Sequence, residues 1–147
     1  MKRVKINRLT INRLKITSGA RWESIVGYSR AIRTGPHVYV SGTTATDEAG
    51  AIVGLKDPYR QTMQAIENIK RALEQANCSL DDVVRTRIFV TNIGDWEEIA
   101  RAHKSYFDEI RPASTMVEVS KFISPDMLVE IEADAYIDDA NIEEPAN

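Results

Sequence analysis

The sequence predicts an α+β domain in which two helices pack on one face of a sheet. Three observations lead there. Residues Leu128 to Ile137 alternate strictly in polarity, as a half-buried strand does. Two stretches, starting at Asp57-Pro58 and at Asp95, place apolar residues at helical spacing. Strand-like and helix-like stretches are interleaved in the order β-β-α-β-α-β-β, with crossovers long enough to return to the same sheet.

The elements follow in order. Val4, Ile6, Leu9, Ile11, Leu14 and Ile16 alternate imperfectly in a basic arm, which reads as an extra edge strand or a loose arm. Ser24 to Arg33 reads as a strand, and Thr34-Gly35-Pro36 as the tight turn of a hairpin. His37 to Ser41, rich in β-branched and aromatic residues, is its second strand. That strand ends in Ser41-Gly42, where a glycine lets backbone approach a ligand. A polar loop runs from Thr43 to Lys56. Asp57 then caps a helix that has proline in its first turn, and Asn77 closes it. The stripe of this helix is Tyr59, Thr62, Met63, Ile66, Ile69, Leu73 and Ala76.

Ser79 and Asp82 have capping-type spacing. In the strand Val83 to Thr91, the residues Val84, Thr86, Ile88 and Val90 alternate against Arg85, Arg87 and Phe89. Asp95 and Glu98 read as a capping box for a second helix, with Trp96, Ile99, Ala100, His103, Phe107 and Ile110 as its stripe. Two strands, Thr115 to Val119 and Leu128 to Ile137, flank a loop containing Ser124, Pro125 and Asp126. In the last strand Glu130, Glu132 and Asp134 share one face. Spacing alone favours a solvated face. The sharper alternative is that Glu130 faces a site or a subunit contact.

The 147 residues suit one domain, divided here into a basic arm (1–17), a single folded unit (18–138) and an acidic tail (139–147). The net charge of −3 hides a gradient. Residues 1–16 hold six basic groups and no acid, which leaves 13 of the 19 basic groups against all 22 acids elsewhere, a net of −9. An acidic body argues against a nucleic-acid binder. No apolar run approaches the roughly 20 residues of a membrane span. The single cysteine, Cys78, has no internal partner, which points to a reducing, cytoplasmic setting.

Chemical motifs are sparse. His37 and His103 are the only histidines and lack metal-ligand spacing, so no metal is expected. His103 lies on an inward helical stripe, where a packed, hydrogen-bonded core histidine is the plainer reading. Phosphate-binding and dinucleotide fingerprints are absent. Cys78 follows a helix C-terminus, the wrong dipole end for a thiolate. Ser41 lacks a sequence-placed base, so it reads as a hydrogen-bonding group rather than a nucleophile.

Five stretches taken together carry a resemblance: Gly27-Tyr28, Val40-Ser41-Gly42, the helix from Asp57 to Asn77, SLDDVVRTRIFVT from Ser79, and the terminal PASTMVEV…PDMLVEIEADA. In this order, from Ser24 to Ile137, they resemble the RidA (YjgF) family of the Rid superfamily. The resemblance implies a chorismate-mutase-like fold and a homotrimer with clefts between neighbouring subunits. It implies hydrolysis of reactive 2-imino and 2-enamino acids to keto acids and ammonia, without metal or organic cofactor. Other members were described as ribonucleases or translation inhibitors.

By the same resemblance, Tyr28 covers the ligand, Ser41 and Gly42 stand at the end of the second strand, and Glu130 places or activates the attacking water. Thr115 and Met116 lie on the cleft edge, and His103 stands where many members have another cleft residue. One position departs from the pattern. Active members have an arginine after Pro-Ala to hold the substrate carboxylate, and here Pro112-Ala113 is followed by Ser114. A charge-assisted hydrogen bond contributes about 1.5–3 kcal/mol, so its loss weakens carboxylate capture roughly tenfold to a hundredfold. Arg111 and Arg30 are the nearby candidates to replace it. Three readings stay open. The first is a deaminase of small imines or enamines with Glu130 as its catalytic residue. The second is a non-catalytic trimer that binds a small metabolite such as a keto acid. The third, an RNA-directed role for the basic arm, is the weakest.

Overall fold

A computed structural model describes residues 13–138. Most of the basic arm assigned to 1–17, and all of the acidic tail assigned to 139–147, lie outside them. The elements are β1 (Arg13–Ile16), α1 (Arg21–Val26), β2 (Ala31–Thr34), β3 (His37–Thr43), α2 (Pro58–Gln75), β4 (Val83–Val90), α3 (Trp96–Phe107), β5 (Ala113–Glu118) and β6 (Val129–Tyr136). The strands form one sheet in the order β1-β2-β3-β6-β4-β5. Only β4 and β5 run parallel, because α3 carries the chain between them as a crossover. The final strand, β6, fills the gap between β3 and β4.

The expected α+β arrangement is observed. The alternation of β6 decides its two faces. Val129, Ile131, Ala133 and Ala135 are at most 3% exposed, beneath the helices. Ile66, Ile69 and Leu73 of α2 and Ile99 and Phe107 of α3 close the core. Truncating Leu73 to alanine would cost about 2–5 kcal/mol. The N-terminus of α2 is built as its sequence indicates, with the Asp57 carboxylate accepting from the Arg60 amide at 3.0 Å. Asn77 takes up φ 54° just beyond the helix, the left-handed closure its side chain tolerates. The capping box of Ser79 and Asp82 is present.

Four local readings change. The start of Ser24 to Arg33 is not a strand: Ser24, Ile25 and Val26 belong to α1, and only Ala31–Thr34 is β2. Buried Glu23 creates this turn, its carboxylate accepting from Thr17 Oγ1 (2.8 Å), the Ser18 amide (3.1 Å) and Ser18 Oγ. Burial alone would raise its pKa, but these hydrogen bonds outweigh it and hold the carboxyl below its ordinary value. Of the two readings of the arm, its described end takes the first, an edge strand, β1. On β4, a register shift between Val83 and Arg85 turns Val84 outward, while Thr86, Ile88 and Val90 point in. Asp95 makes no capping bond; Asn92 accepts from the Gly94 amide instead, and Glu98 pairs with Arg101 at 2.8 Å. Trp96 is left half exposed rather than joining the core stripe.

Candidate ligand cleft

The first cluster forms where β3 loosens from β6. Their ladder breaks register between Val40 and Thr43, at Ser41-Gly42. A Cβ added at Gly42 would lie 2.9 Å from Cδ of Glu130, so glycine is what lets this carboxyl reach the strand. Arg30, just before β2, ties the cluster together. Its Nη1 donates to the Gly42 carbonyl (2.8 Å) and Thr43 Oγ1 (3.1 Å), and its Nη2 donates to the Tyr28 hydroxyl at 3.1 Å. Its Nε is buried without a partner. Ser41 Oγ donates to the Ser29 carbonyl at 2.7 Å, which leaves lone pairs for anything else it meets.

The three acids of β6 now separate. Asp134 and Glu132 both reach Arg87, at 3.1 and 3.6 Å. Glu130 has no ion pair among the described residues and stands across from Phe89. Burial pushes its carboxyl above the ordinary glutamate value, the charge of Glu132 adds to this, and Arg30 pulls it back. A cavity of about 600 Å³ on the open sheet face is lined by Tyr28, Ser29, Tyr39, Ser41, Glu132 and Asp134 among others. Glu130 does not line it; Gly42 and Arg30 connect the two.

The second cluster lies at the far edge of the sheet, on β5. Ser114 Oγ and Thr86 Oγ1 share a hydrogen bond at 2.8 Å, and Thr86 Oγ1 lies 2.9 Å from His103 Nε2. Thr86 is wholly buried. The His103 ring packs on Phe107, and burial holds its pKa below the ordinary histidine value, so the ring is neutral. Thr115 is exposed, while the Met116 side chain packs against the core. Arg111 is engaged with Asp108 (3.2 Å) and is largely exposed. Of the two candidate replacement arginines, only Arg30 therefore stands in a cluster with Tyr28, Gly42 and Glu130.

Sequence reasoning named Tyr28, Ser41, Gly42 and Glu130, which the fold gathers, and Ser114 and His103, which it joins through Thr86. It missed Thr86, whose inward position on β4 was the available signal. It also missed Gln61, which ties α2 to the backbone at Gly54, Asp126 and Leu128 just before β6. Cys78 is pushed up to about 12 by burial and by Asp82, a protonated thiol as its placement suggested. Among the described residues no group of histidine, cysteine and acidic side chains could hold a metal, and no helix is long and apolar enough to cross a membrane.

A mixed sheet with helices on one face defines a class of α+β fold seen in a set of solved structures. A Mycobacterium tuberculosis protein described as a member of the highly conserved YjgF/YER057c/UK114 family is 48% identical, with a TM-score of 0.79 over 86% of this chain and 100% of that one. The structure of Escherichia coli TdcF with bound serine is 28% identical, with a TM-score of 0.69 over 76% of this chain and 88% of that one. The family described as endoribonuclease L-PSP matches residues 18–137, and the chain belongs to that family, the YjgF or Rid family. The 3-aminoacrylate deaminase RutC of Acinetobacter baylyi is 36% identical over 110 residues, covering 75% of this chain and 86% of that protein. A RutC family protein of Pyrococcus abyssi is 41% identical over 110 residues, 74% of this chain and 85% of that protein.

Proposed function

We propose that this protein is a hydrolytic deaminase of small imines or enamines, working as a cytoplasmic homotrimer whose clefts lie between subunits. One folded unit over 18–138 provides each cleft wall. The observation that carries this reading is Glu130, a half-buried carboxyl with a raised pKa, held against Gly42 and facing no cation directly. A carboxylate with its pKa shifted towards neutrality is a competent general base. Water attacks the carbon of the protonated imine and gives one proton to Glu130. The C=N bond becomes a C–N single bond, the nitrogen is protonated, and ammonia leaves as the keto group forms. Only water and protons move, so the reaction calls on no redox or electron-sink cofactor.

The neighbouring groups fit orienting roles. Arg30 donates to the Tyr28 hydroxyl, so the hydroxyl hydrogen of Tyr28 is free to bond a ligand. Ser41 has given its hydrogen to Ser29 and can only accept, which suits an imine N–H. A second reading, a trimer that binds a metabolite without turnover, draws on Ser114 standing at the family's arginine position. Turnover of an imine released by a pyridoxal-phosphate enzyme separates the two. Under the enzyme reading Glu130→Gln loses about a hundredfold or more of kcat while the oligomer stays intact. Full activity in that variant removes Glu130 from the mechanism, and wild-type hydrolysis no faster than buffer leaves the binding reading.

A further inference from the structure

We infer that the Ser114–Thr86–His103 chain is a recognition site for an uncharged, amide-like group of the ligand, and that it selects against a carboxylate. This rests on the reading of the cleft as a small-molecule site and deepens it.

The argument starts from what each atom can do. Thr86 is wholly buried and has a single hydroxyl hydrogen, with Ser114 at 2.8 Å on one side and His103 Nε2 at 2.9 Å on the other. Two hydrogen-bond directions satisfy it. In one, His103 donates from Nε2 to Thr86 and Thr86 donates to Ser114, so Ser114 turns its own hydrogen outward. In the other, Ser114 donates to Thr86 and Thr86 donates to His103, so Ser114 turns lone pairs outward. A neutral His103 allows both by exchanging tautomers. A primary amide matches either state, accepting through its oxygen or donating through its nitrogen. A carboxylate matches only the first, because it has no hydrogen to give.

Charge points the same way. No cation hydrogen-bonds to Ser114, Thr86 or His103 among the described residues. Lys104 and Arg111 line an adjacent cavity of about 320 Å³ with His103, Phe107, Asp108 and Pro112, and Arg111 is taken by Asp108. Lys104 is exposed, so a carboxylate brought to Ser114 would give up water with no charged donor already hydrogen-bonded into the chain, whereas a neutral carbonyl gives up far less. Ser114 itself lies on an exposed edge strand, open to an incoming group.

The test compares two isosteric ligands, pyruvate and pyruvamide (2-oxopropanamide), by titration calorimetry on the intact protein, alongside hydrolysis of 2-aminoacrylate and of its amide. Pyruvamide should bind at least about tenfold more tightly than pyruvate, roughly 1.4 kcal/mol. Thr86→Val and Ser114→Ala should each reduce that preference to within about threefold, and Ser114→Arg should reverse it. Thr86→Val tests the chain where it is buried, and Ser114→Ala, on the exposed edge, gives the same readout without a core change. Pyruvate binding as tightly as pyruvamide, a preference untouched by Ser114→Ala, or no binding of either would overturn the inference. A clear pyruvamide preference with no turnover of either imine would leave it standing and sink the deaminase. Equal turnover of both imines would do the opposite.

Discussion

The two polar clusters of this sheet solve the same problem by different means. Around Gly42, a cation sits close to an acid that has no ion pair among the described residues, and the cation's charge pulls down the acid's pKa. At the β5 edge, three neutral groups form a chain that satisfies itself without any charge. The first arrangement holds a carboxyl poised to exchange a proton. The second holds a hydroxyl poised to exchange only a hydrogen bond. Under the proposed function, charge in one place and its absence in the other would separate a site that does chemistry from a site that chooses.

The largest test of this contrast is Gly42→Ala. The new methyl meets the flexible end of Glu130 at 2.9 Å, so the carboxyl gives way rather than the sheet. The expected result is a loss of about tenfold to a hundredfold in kcat, the scale of a misplaced catalytic group, with thermal stability nearly unchanged. The amide preference at Ser114 should survive. If it falls together with kcat, Gly42 also shapes the Ser114 end of the cleft and the contrast fails.

Arg30→Gln is the next. Removing the guanidinium removes the influence that lowers the Glu130 pKa among the described residues, so the carboxyl ionises at higher pH. The acid limb of kcat/KM should move to higher pH, with a several-fold loss of rate as Tyr28 loses its donor. An acid limb in the same place would show that Arg30 does not act on the base.

The smallest effect is on stability against pH, and the two clusters should differ in sign. The Glu130 pKa is raised on folding, so the folded state keeps a proton that the unfolded chain has lost. Stability therefore falls as pH rises from the ordinary glutamate value through the raised one. Glu130→Gln should melt at a higher temperature than wild type at neutral pH and show no gain below the ordinary carboxylate range. His103 behaves oppositely. Its pKa is lowered, so stability is lost as pH falls below the ordinary histidine value of roughly 6.5. His103→Asn should flatten the melting temperature between pH 7 and 5. A wild-type curve already flat there would remove the neutral ring from the account.

Much of this was legible in the sequence because the signals were local and strong. The alternation of β6 located the one strand with four buried and three acidic positions. Asp57-Pro58 marked the start of α2, and Ser41-Gly42 marked a place where backbone is closely approached, although the break in register there was not read. What could not be read depended on which of several possible partners each side chain takes. Nothing near Glu23 says that Thr17 and Ser18 will wrap its carboxylate, so α1 looked like strand. Asp95 and Glu98 had capping spacing, but Arg101 competes for Glu98. Thr86 looked like one more β-branched core residue, because a threonine becomes a relay only when another strand and a helix supply both neighbours.

The place of β6 in the sheet has a consequence for how the chain is made. A polypeptide is synthesised from its N-terminus, and β3 and β4 emerge long before residues 129–136 exist. His37 must wait for Tyr136, and Val90 for Val129. Until then both strands present bare edges, and the helices have only part of a floor to settle on. The strand made last is the one that joins the two halves, and it carries Glu130. The nascent chain therefore gains its floor and the Glu130 carboxyl in a single late event, with the pairing of widely separated segments setting the pace.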